Sequence, residues 1–588
     1  MSERLTMTAG GLAVRLGGGE CNGARAISTV AAFDEAGSGA ISRTGCANCA
    51  PCPAKSTVGA VLPAQESRVP TFTAGRTFQH ALCVYPYRRE LNEAGFFPPL
   101  GLEFVAAVVQ RYARSLDLVD LRMVPGRTQS FLRPQTDLVC FSVNWDRDRE
   151  FLAAEIRSVP PGVLTVIGGR HATEDPDQWL TRFPNVDAVI RGDGEEAMDE
   201  FCRRVPLDRI AGLSFRRDGR IHHNPNRSMG QLRNDLYPDR RIRRRKYVFT
   251  IKGARAGIGV DSIATSRGCP NHCTFCSFNR NPWGEMRRWT ARSPESVVDE
   301  LGEIKARIVG FVDDLFTHDM DRVERICDLI IARGIRKRYF VNARLEIARR
   351  PDVLRKMEQA GFSMLMLGVE SAHDKTLRSM RKGFDVARIR KHFEVLRHSR
   401  MFLHGYFILG CIGESRSDML QIAPFAHELG LDTIALSVLR SSPHSGLDEL
   451  VANTPGYHVA PNGKIYSDHC SVEQLGELRR RIYRQFYTPG QIVRIAGKGI
   501  RNDALKFLPN ILLHLPHIAA ASILDVWRRA SRRARKRRLR RAGGEPGPAS
   551  HGAQTYDPGE GPVRAGSPKL RAVVAAANPR GLRPFVYI

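Results

Sequence analysis

Nothing in the first residues of this 588-residue chain has the apolar run of a secretory signal, and thirteen cysteines are too sparse to staple a scaffold of that length. A reducing compartment is therefore expected, and with it a cytosolic enzyme whose clustered cysteines serve as metal ligands. Acidic residues are also short: 61 Asp and Glu face 89 Lys and Arg, a formal charge of +28. That imbalance invites a nucleic-acid reading. Its placement weighs against one, because six positive charges sit within 240–246 and ten within 528–541. A groove that tracks phosphates spreads its basic groups over a fold and mixes them with aromatics. No Ser-His-Asp or paired-carboxylate constellation stands out either, so acid–base hydrolysis gains no support. What the chain does have is 42% hydrophobic residues, enough for two or three packed domains.

Residues 1–75 are rich in Gly, Ala, Ser and Thr without a sustained period, and read as a disordered extension or as sequence translated from too early a start. Cys46, Cys49 and Cys52 lie there with no fourth ligand nearby, and read as incidental. Over 76–210, short apolar runs at 81–87, 116–123, 137–143, 163–169 and 186–190 alternate with helical segments near 103–113, 148–157 and 195–203. Such alternation predicts a parallel sheet covered on both faces. A hairpin over 213–224, turned at Asp218 and Gly219, and a basic linker fill 211–254. A second series over 255–445 places strands at 261–266, 307–314, 338–343, 362–370, 403–410 and 431–439. That suits a partial (β/α)6 barrel with function in the loops after its strands.

The expected fold is thus α/β, a Rossmann-like domain joined to an open barrel. A mostly helical region over 446–541 and a flexible tail over 542–588 complete it. The segment 505–527 is apolar but broken by two prolines and two histidines, so it reads as an interfacial or core helix pair rather than a span. Followed by the ten-charge block, it suits docking on an anionic membrane, and equally a packed helix with a solvated end.

Cys269, Cys273 and Cys276 stand at C-x3-C-x2-C directly after the first strand of the second series. A structural zinc asks for four ligands, and the nearest candidate for the fourth, His272, is held inside the loop. Three thiolates with one position open instead suit a [4Fe–4S] cluster. Gly268 lets the loop turn sharply at the strand end. Zinc and an incidental trio are the remaining readings.

This motif, with an aromatic residue, Phe275, before its last cysteine, resembles the signature of radical S-adenosylmethionine enzymes. The resemblance covers roughly residues 255–445 and implies S-adenosylmethionine chelated at the open iron and cleaved reductively to a hydrogen-abstracting radical. It implies contacts to that molecule from Asp313 and Asp314 in FVDDLF, from Glu370 and Ser371 in LGVES, and from Gly405 and Gly410 in GYFILGCIGES. Plainer readings stand beside these: helix capping for the aspartates and turn geometry for the glycines. A buried Glu370 needs a donor facing it. Arg344, just after YFVNA, has the planar fork to clamp a carboxylate, or to make a surface salt bridge.

In the first series, Gly168 and Gly169 close a strand where a parallel sheet receives its ligand. Gly192 and Gly194 turn the chain into a helix start whose Glu195 and Glu196 suit the helix dipole. Ser142 stands 26 residues ahead of Gly168, which makes the pattern similar to cobalamin-binding domains. Members that bind cobalt through histidine carry Asp-x-His-x-x-Gly after the first strand. ELNEAG here puts Asn92 at the histidine position and Gly95 in register. The resemblance therefore implies cobalamin without a protein histidine on cobalt, or a pocket that has lost its ligand.

Together the two series resemble the cobalamin-dependent, class B radical S-adenosylmethionine enzymes. CVYPYRRELNEAGFFPPLG, CFSVNWDRD and SFNRNPWGEMRRWTARSPES look most like the hopanoid C-3 methylase family. That implies methyl transfer from methylcobalamin to an unactivated sp3 carbon of a lipid, at C-3 of the hopanoid A ring. It also implies a low-potential electron donor such as flavodoxin or ferredoxin, and a cytoplasmic protein at most peripheral to the inner face of the membrane. Trp145, Trp283 and Trp289 by themselves show only a bulky apolar environment. The alternative is a ring-forming oxidoreductase on a porphyrin or another apolar metabolite, as in the anaerobic cyclase of bacteriochlorophyll synthesis. A nucleic-acid-modifying methylthiotransferase comes third, since a second cluster's cysteines are missing from the right context.

Overall fold

The alternating runs fold into two sheets, each of seven strands among the described residues. In this computed structural model those residues are 78–88, 97–145, 148–251, 254–276, 280–281, 283–441, 444–502 and 513, with four two-residue strands before residue 41. Asn92, Gly95, Cys46, Cys49, Cys52, the apolar segment 505–527 apart from Leu513, the basic block 528–541 and the tail 542–588 lie outside them. All labelled elements belong to the compact unit Glu66–Ile588.

The first sheet holds β1 (Phe78–Tyr85), β2 (Ala113–Asp120), β3 (Thr136–Ser142), β4 (Leu164–Gly168), β5 (Ala188–Ile190), β6 (Leu213–Arg217) and β7 (Arg220–His223) in the order β7-β6-β5-β4-β3-β1-β2. Strands β1 to β5 run parallel; β6 and β7 return antiparallel. The hairpin turns on Asp218 and Gly219, both left-handed at φ +52° and +72°, which is the geometry a two-residue loop requires. Helices α1 (Leu100–Val109) and α5 (Gly194–Arg203) cover one face. The other is covered by α2 (Arg149–Arg157), α3 (Arg170–Glu174) and α4 (Pro176–Arg182). Helix α1 starts three residues before the expected Glu103, directly behind Pro98 and Pro99, because proline is tolerated where no helical N–H is needed. It also ends earlier, at Val109, so that β2 begins at Ala113 rather than Leu116.

The second sheet runs in simple order from β8 (Val248–Ile251) through β9 (Ala254–Ile263), β10 (Ile308–Phe311), β11 (Arg338–Ala343), β12 (Phe362–Glu370) and β13 (Phe402–Leu409) to β14 (Thr433–Val438). β8 pairs antiparallel and the other six are parallel, giving the open barrel. Its helices are α6 (Pro294–Glu303), α7 (Met320–Ala332), α8 (Pro351–Ala360), α9 (Asp374–Ser379), α10 (Val386–Leu396), α11 (Arg416–Leu420) and α12 (Ile422–Glu428). Their boundaries follow local chemistry. Ser293 caps α6 ahead of Pro294, Asp319 caps α7, and Gly361 ends α8 in the left-handed conformation at φ +105°. The main apolar core lies between this helical layer and one face of the sheet.

After the barrel come α13 (Leu447–Ala452), a short hairpin, α14 (Val472–Phe486) and α15 (Pro489–Arg501). Among the described residues no helix is long and apolar enough to cross a membrane.

The basic linker corrects an expectation. Its arginines do not form a free charged block outside the domains. Arg243 is buried and pairs with Glu103 of α1 and Asp261 of β9, while Arg240 pairs with Asp261 and with Glu300 of α6. Arg243 thus pins the two domains to one another and Arg240 ties the linker to the barrel, and the charge of both is spent internally.

Candidate functional site

The cysteine loop leaves β9 through a short strand, Ser266–Arg267, that pairs with Thr290–Ala291. Gly268 has φ +84°, and a Cβ there would lie 2.5 Å from the Arg288 carbonyl, so only glycine makes this turn. Its N–H donates to Asp314 at 2.8 Å, which fixes the backbone one residue before Cys269. The Cys276 N–H donates to the Cys273 carbonyl, closing the loop on itself. The Thr274 N–H donates to the Met380 carbonyl, resting the loop on the chain that follows α9. The nine described cysteines form no disulfide. No group of three or more ligating side chains converges on one metal ion among the described residues. A cubane makes a different demand, since each of its thiolates binds a separate iron.

Beside the loop sit two cations. Lys382 Nζ is 2.8 Å from Glu370 Oε1, with both side chains buried, and lies against the rings of Phe275 and Phe384. Lys382 is therefore the donor that Glu370 needs. Glu370 itself is left-handed at φ +72°, just after a bulge in the pairing of β12. Arg344 grips Glu346 with two hydrogen bonds of 3.1 Å, donates to the Lys382 carbonyl at 3.0 Å and stacks on Phe384. Its fork thus holds a carboxylate of the protein itself. Burial pushes the Cys273 thiol up, and the charges of Lys382 and Arg344 pull it back toward thiolate.

Asp313 is fully buried and accepts from the Thr265 N–H, the Thr265 hydroxyl and the Ser266 hydroxyl. Its carboxylate locks β10 to the start of the cysteine loop. It caps none of the described helices, and these donors take three of its acceptor positions. Asp314 remains half-buried, its carboxyl raised by burial against the pull of Arg287 and Arg267. Ser371 is buried and its hydroxyl accepts from the His373 N–H. Gly405 stands on the same strand as His404 and Tyr406. A Cβ there would meet Leu431 at 2.5 Å, so this glycine faces the helix-side core rather than the cofactor side. Gly410, at φ +75°, does form a turn, and its N–H donates to Glu414 at 3.0 Å.

On the first sheet, Ser142 and Gly168 are register partners at the carboxyl ends of β3 and β4. Asn144 organises this edge: its amide donates to Ser142, and its carbonyl accepts from the Arg170 N–H. Gly169, at φ +103°, has no room for a side chain, since a Cβ there would lie 2.6 Å from the Val143 carbonyl oxygen. Next along the edge, Gly192 lies under the indole of Trp283, which would be 3.1 Å from a Cβ, and Gly194 packs closely on Val105 of α1. Trp283 belongs to the segment behind the cysteines. Arg267, two residues before Cys269, pairs with Glu195 and Asp193, and Arg287 pairs with Asp193 at 2.8 Å. The carboxyl edge of the first sheet is therefore bolted to the cysteine loop of the second.

Sequence reasoning missed Lys382, His404, Tyr406 and Met366. His404 and Tyr406 lie two apart on β13, where polar residues recurring with period two in an apolar strand were the available signal; Met366, itself apolar, gave none. Lys382 sits in a polar stretch and gave none.

Comparison with known proteins places these observations. The B12 binding domain family matches residues 92–202, and the Radical SAM superfamily matches residues 263–426. An uncharacterised methyltransferase of Pyrococcus horikoshii is 26% identical over 421 residues, covering 66% of this chain and 88% of the relative. Hopanoid C-3 methylase of Methylococcus capsulatus is 29% identical over 319 residues, covering 51% of this chain and 58% of the relative. Anaerobic magnesium-protoporphyrin IX monomethyl ester cyclase of Cereibacter sphaeroides is 29% identical over 276 residues, 44% of either chain. The chain thus spans about half the length of these last two. The fold is similar to that of the radical S-adenosylmethionine methyltransferase TsrM of Kitasatospora setae, with a TM-score of 0.56 at 16% identity over 70% of this chain and 90% of that one. The chain carries a B12-binding domain followed by a radical SAM domain, and is related to several cobalamin-dependent radical SAM methyltransferase and cyclase families with none set apart.

Proposed function

We propose that this enzyme modifies an unactivated carbon of an apolar metabolite, by methylation or by oxidative ring formation. The observation that carries the reading is the bolting of the cysteine loop, through Arg267 and Trp283, to the glycine-lined edge of the B12-binding sheet. Cys269, Cys273 and Cys276 would hold a [4Fe–4S] cluster; the donor set fits, three thiols in one short loop with Lys382 and Arg344 offsetting their charge. Ser142, Gly168 and Gly169 would line the cobalamin face. When bound, these groups supply a hydrogen-abstracting radical from S-adenosylmethionine and a transferable methyl or a further redox centre. The chain's own part is to orient and to shield. Asp314 and Asp313 fix the loop, Phe275 and Phe384 exclude water around Lys382, and Trp283 closes the seam between the domains.

Equal identity to the hopanoid methylase and to the porphyrin cyclase leaves both chemistries within the reading, and widens the substrate from the hopanoid A ring to apolar polycyclic molecules. Methylcobalamin and an external low-potential donor of the flavodoxin or ferredoxin type belong to the methylating version. The test is anaerobic reconstitution with iron, sulfide and cobalamin, followed by labelled S-adenosylmethionine and a lipid or tetrapyrrole extract. A product heavier by one methylene unit selects methylation, and loss of hydrogen with ring closure selects the cyclase. Absence of 5′-deoxyadenosine from the wild type, with or without extract, overturns the proposal.

A further inference from the structure

The barrel sheet has a second face that the helices do not cover. Pairing puts its residues in rows: Ser262, Gly310, Phe340, Met364 and Phe402 across the floor, then Asn342, Met366, His404 and Thr433, then Gly368, Tyr406 and Ala435 toward the carboxyl edge. Side chains of neighbouring strands confirm that these rows share a side. His404 Nδ1 is 2.7 Å from the Thr433 hydroxyl, the His404 and Tyr406 rings meet edge-on at 4.8 Å, and the Tyr406 hydroxyl donates to Met366 Sδ at 3.4 Å. At the floor, the Phe340 ring lies across Gly310, where a Cβ would come within 2.4 Å of it, and Phe97 of the first domain meets that ring.

Three features of this face describe an occupant. No residue of these rows carries a formal charge, and the cations beside them are paired: Lys382 with Glu370 at the rim, and Lys498, which faces the Phe402 ring, with Asp432. A charged guest would therefore lose its hydration with no counter-ion to receive it. Tyr406 is buried deeply enough that its phenol is raised, yet among the described residues its hydroxyl donates only to a thioether, a weak acceptor. His404 is held neutral, lowered to about 4 by burial, and only its Nδ1 has a partner among the described residues. The site offers a flat apolar floor with two under-used polar atoms on one wall.

We propose that the inner face of the barrel binds an uncharged ring system bearing one neutral polar group, oriented by hydrogen bonds with Tyr406 and His404. This rests on the functional reading above and names the substrate class it leaves open. The probe pair is dehydroepiandrosterone and its 3-sulfate, the same rings with and without an anion, measured by equilibrium dialysis against the reconstituted holoenzyme. The neutral steroid is expected to bind at least tenfold tighter. Tyr406→Phe and His404→Phe each weaken it about three- to tenfold, the loss of one hydrogen bond. Met364→Trp, which fills the floor, abolishes binding. Unchanged circular dichroism and substrate-free cleavage to 5′-deoxyadenosine in the variants separate lost binding from lost folding and from a failure of the cofactor reading. Equal binding of the sulfate, no binding of either steroid, or unaltered binding by folded variants would overturn it.

Discussion

The two sheets have the same strand number and the same parallel bias, yet they differ in what covers them. Along β3, Leu138 and Cys140 enter one apolar cluster while Val139 and Phe141 enter another on the opposite face. Along β12, Leu365, Leu367 and Val369 enter the helix-side core, whereas Met364, Met366 and Gly368 share the opposite face, which that core does not include. A sheet buried on both faces can offer a ligand only its edge. A sheet buried on one face offers a floor as well. The first domain therefore presents its glycines where strands end, and the barrel can hold a molecule against its strands while the cysteine loop meets it from the carboxyl edge.

The largest expected effect comes from separating the two sheets. Arg243→Met leaves Glu103 and Asp261 buried, and removes the cation that both use. A loss of about 3–5 kcal/mol in urea unfolding is expected, against less than about 1 kcal/mol for Arg390→Met at the exposed pair with Glu428. Similar midpoints for the two variants would mean that the linker arginines do not join the domains.

The contrast between the faces of the barrel sheet is tested by neighbours on one strand. Leu365→Ala should cost about 2–5 kcal/mol, because its side chain is fully enclosed in the helix-side core. Met364→Ala, one residue away and half-exposed on the other face, should cost below about 1 kcal/mol. Equal losses would make the inner face a packed core and leave no room for a guest.

The same contrast explains what could be read from the sequence. Continuous apolar runs identified the first sheet, and β11 and β12 fell on their expected residues because each fills an apolar-rich run between clear turns. Edges were harder. β2 lies at the margin of its sheet, where a half-exposed start such as Arg114 and Ser115 is tolerated and hides the boundary. The cysteine loop was legible because spacing and position carry its chemistry. Asp313 was not: nothing local tells that Thr265 and Ser266, forty-seven or more residues earlier, will donate to it. Gly405 looked like a ligand-facing glycine, and only the packing of Leu431 assigns it to the other side. Arginines 240 and 243 show the same limit, since a charge run becomes a clamp only once Glu103, Asp261 and Glu300 arrive from distant elements.

The smallest expected effect concerns one carboxyl in each domain. Asp187, at the first sheet, is pushed up to about 6 by burial, against the Thr165 N–H that it accepts. Glu414, beyond β13, is pushed up to about 8 by burial; among the described residues its Oε2 accepts from the Gly410 and Cys411 N–H groups, while Oε1 has no partner. In both, the folded state holds a proton that the unfolded chain releases at lower pH. Stability from each is therefore present at low pH and lost as pH rises, from about 4 to 6 for Asp187 and from about 4.5 to 8 for Glu414. Asp187→Asn should flatten the lower window and Glu414→Gln the upper, each by on the order of 1 kcal/mol once partial exposure is allowed for. Urea midpoints at half-unit pH steps read this directly. A wild-type profile that rises through pH 6–8 relative to Glu414→Gln would show that the barrel edge stabilises its carboxylate, and would remove the distinction between the two edges.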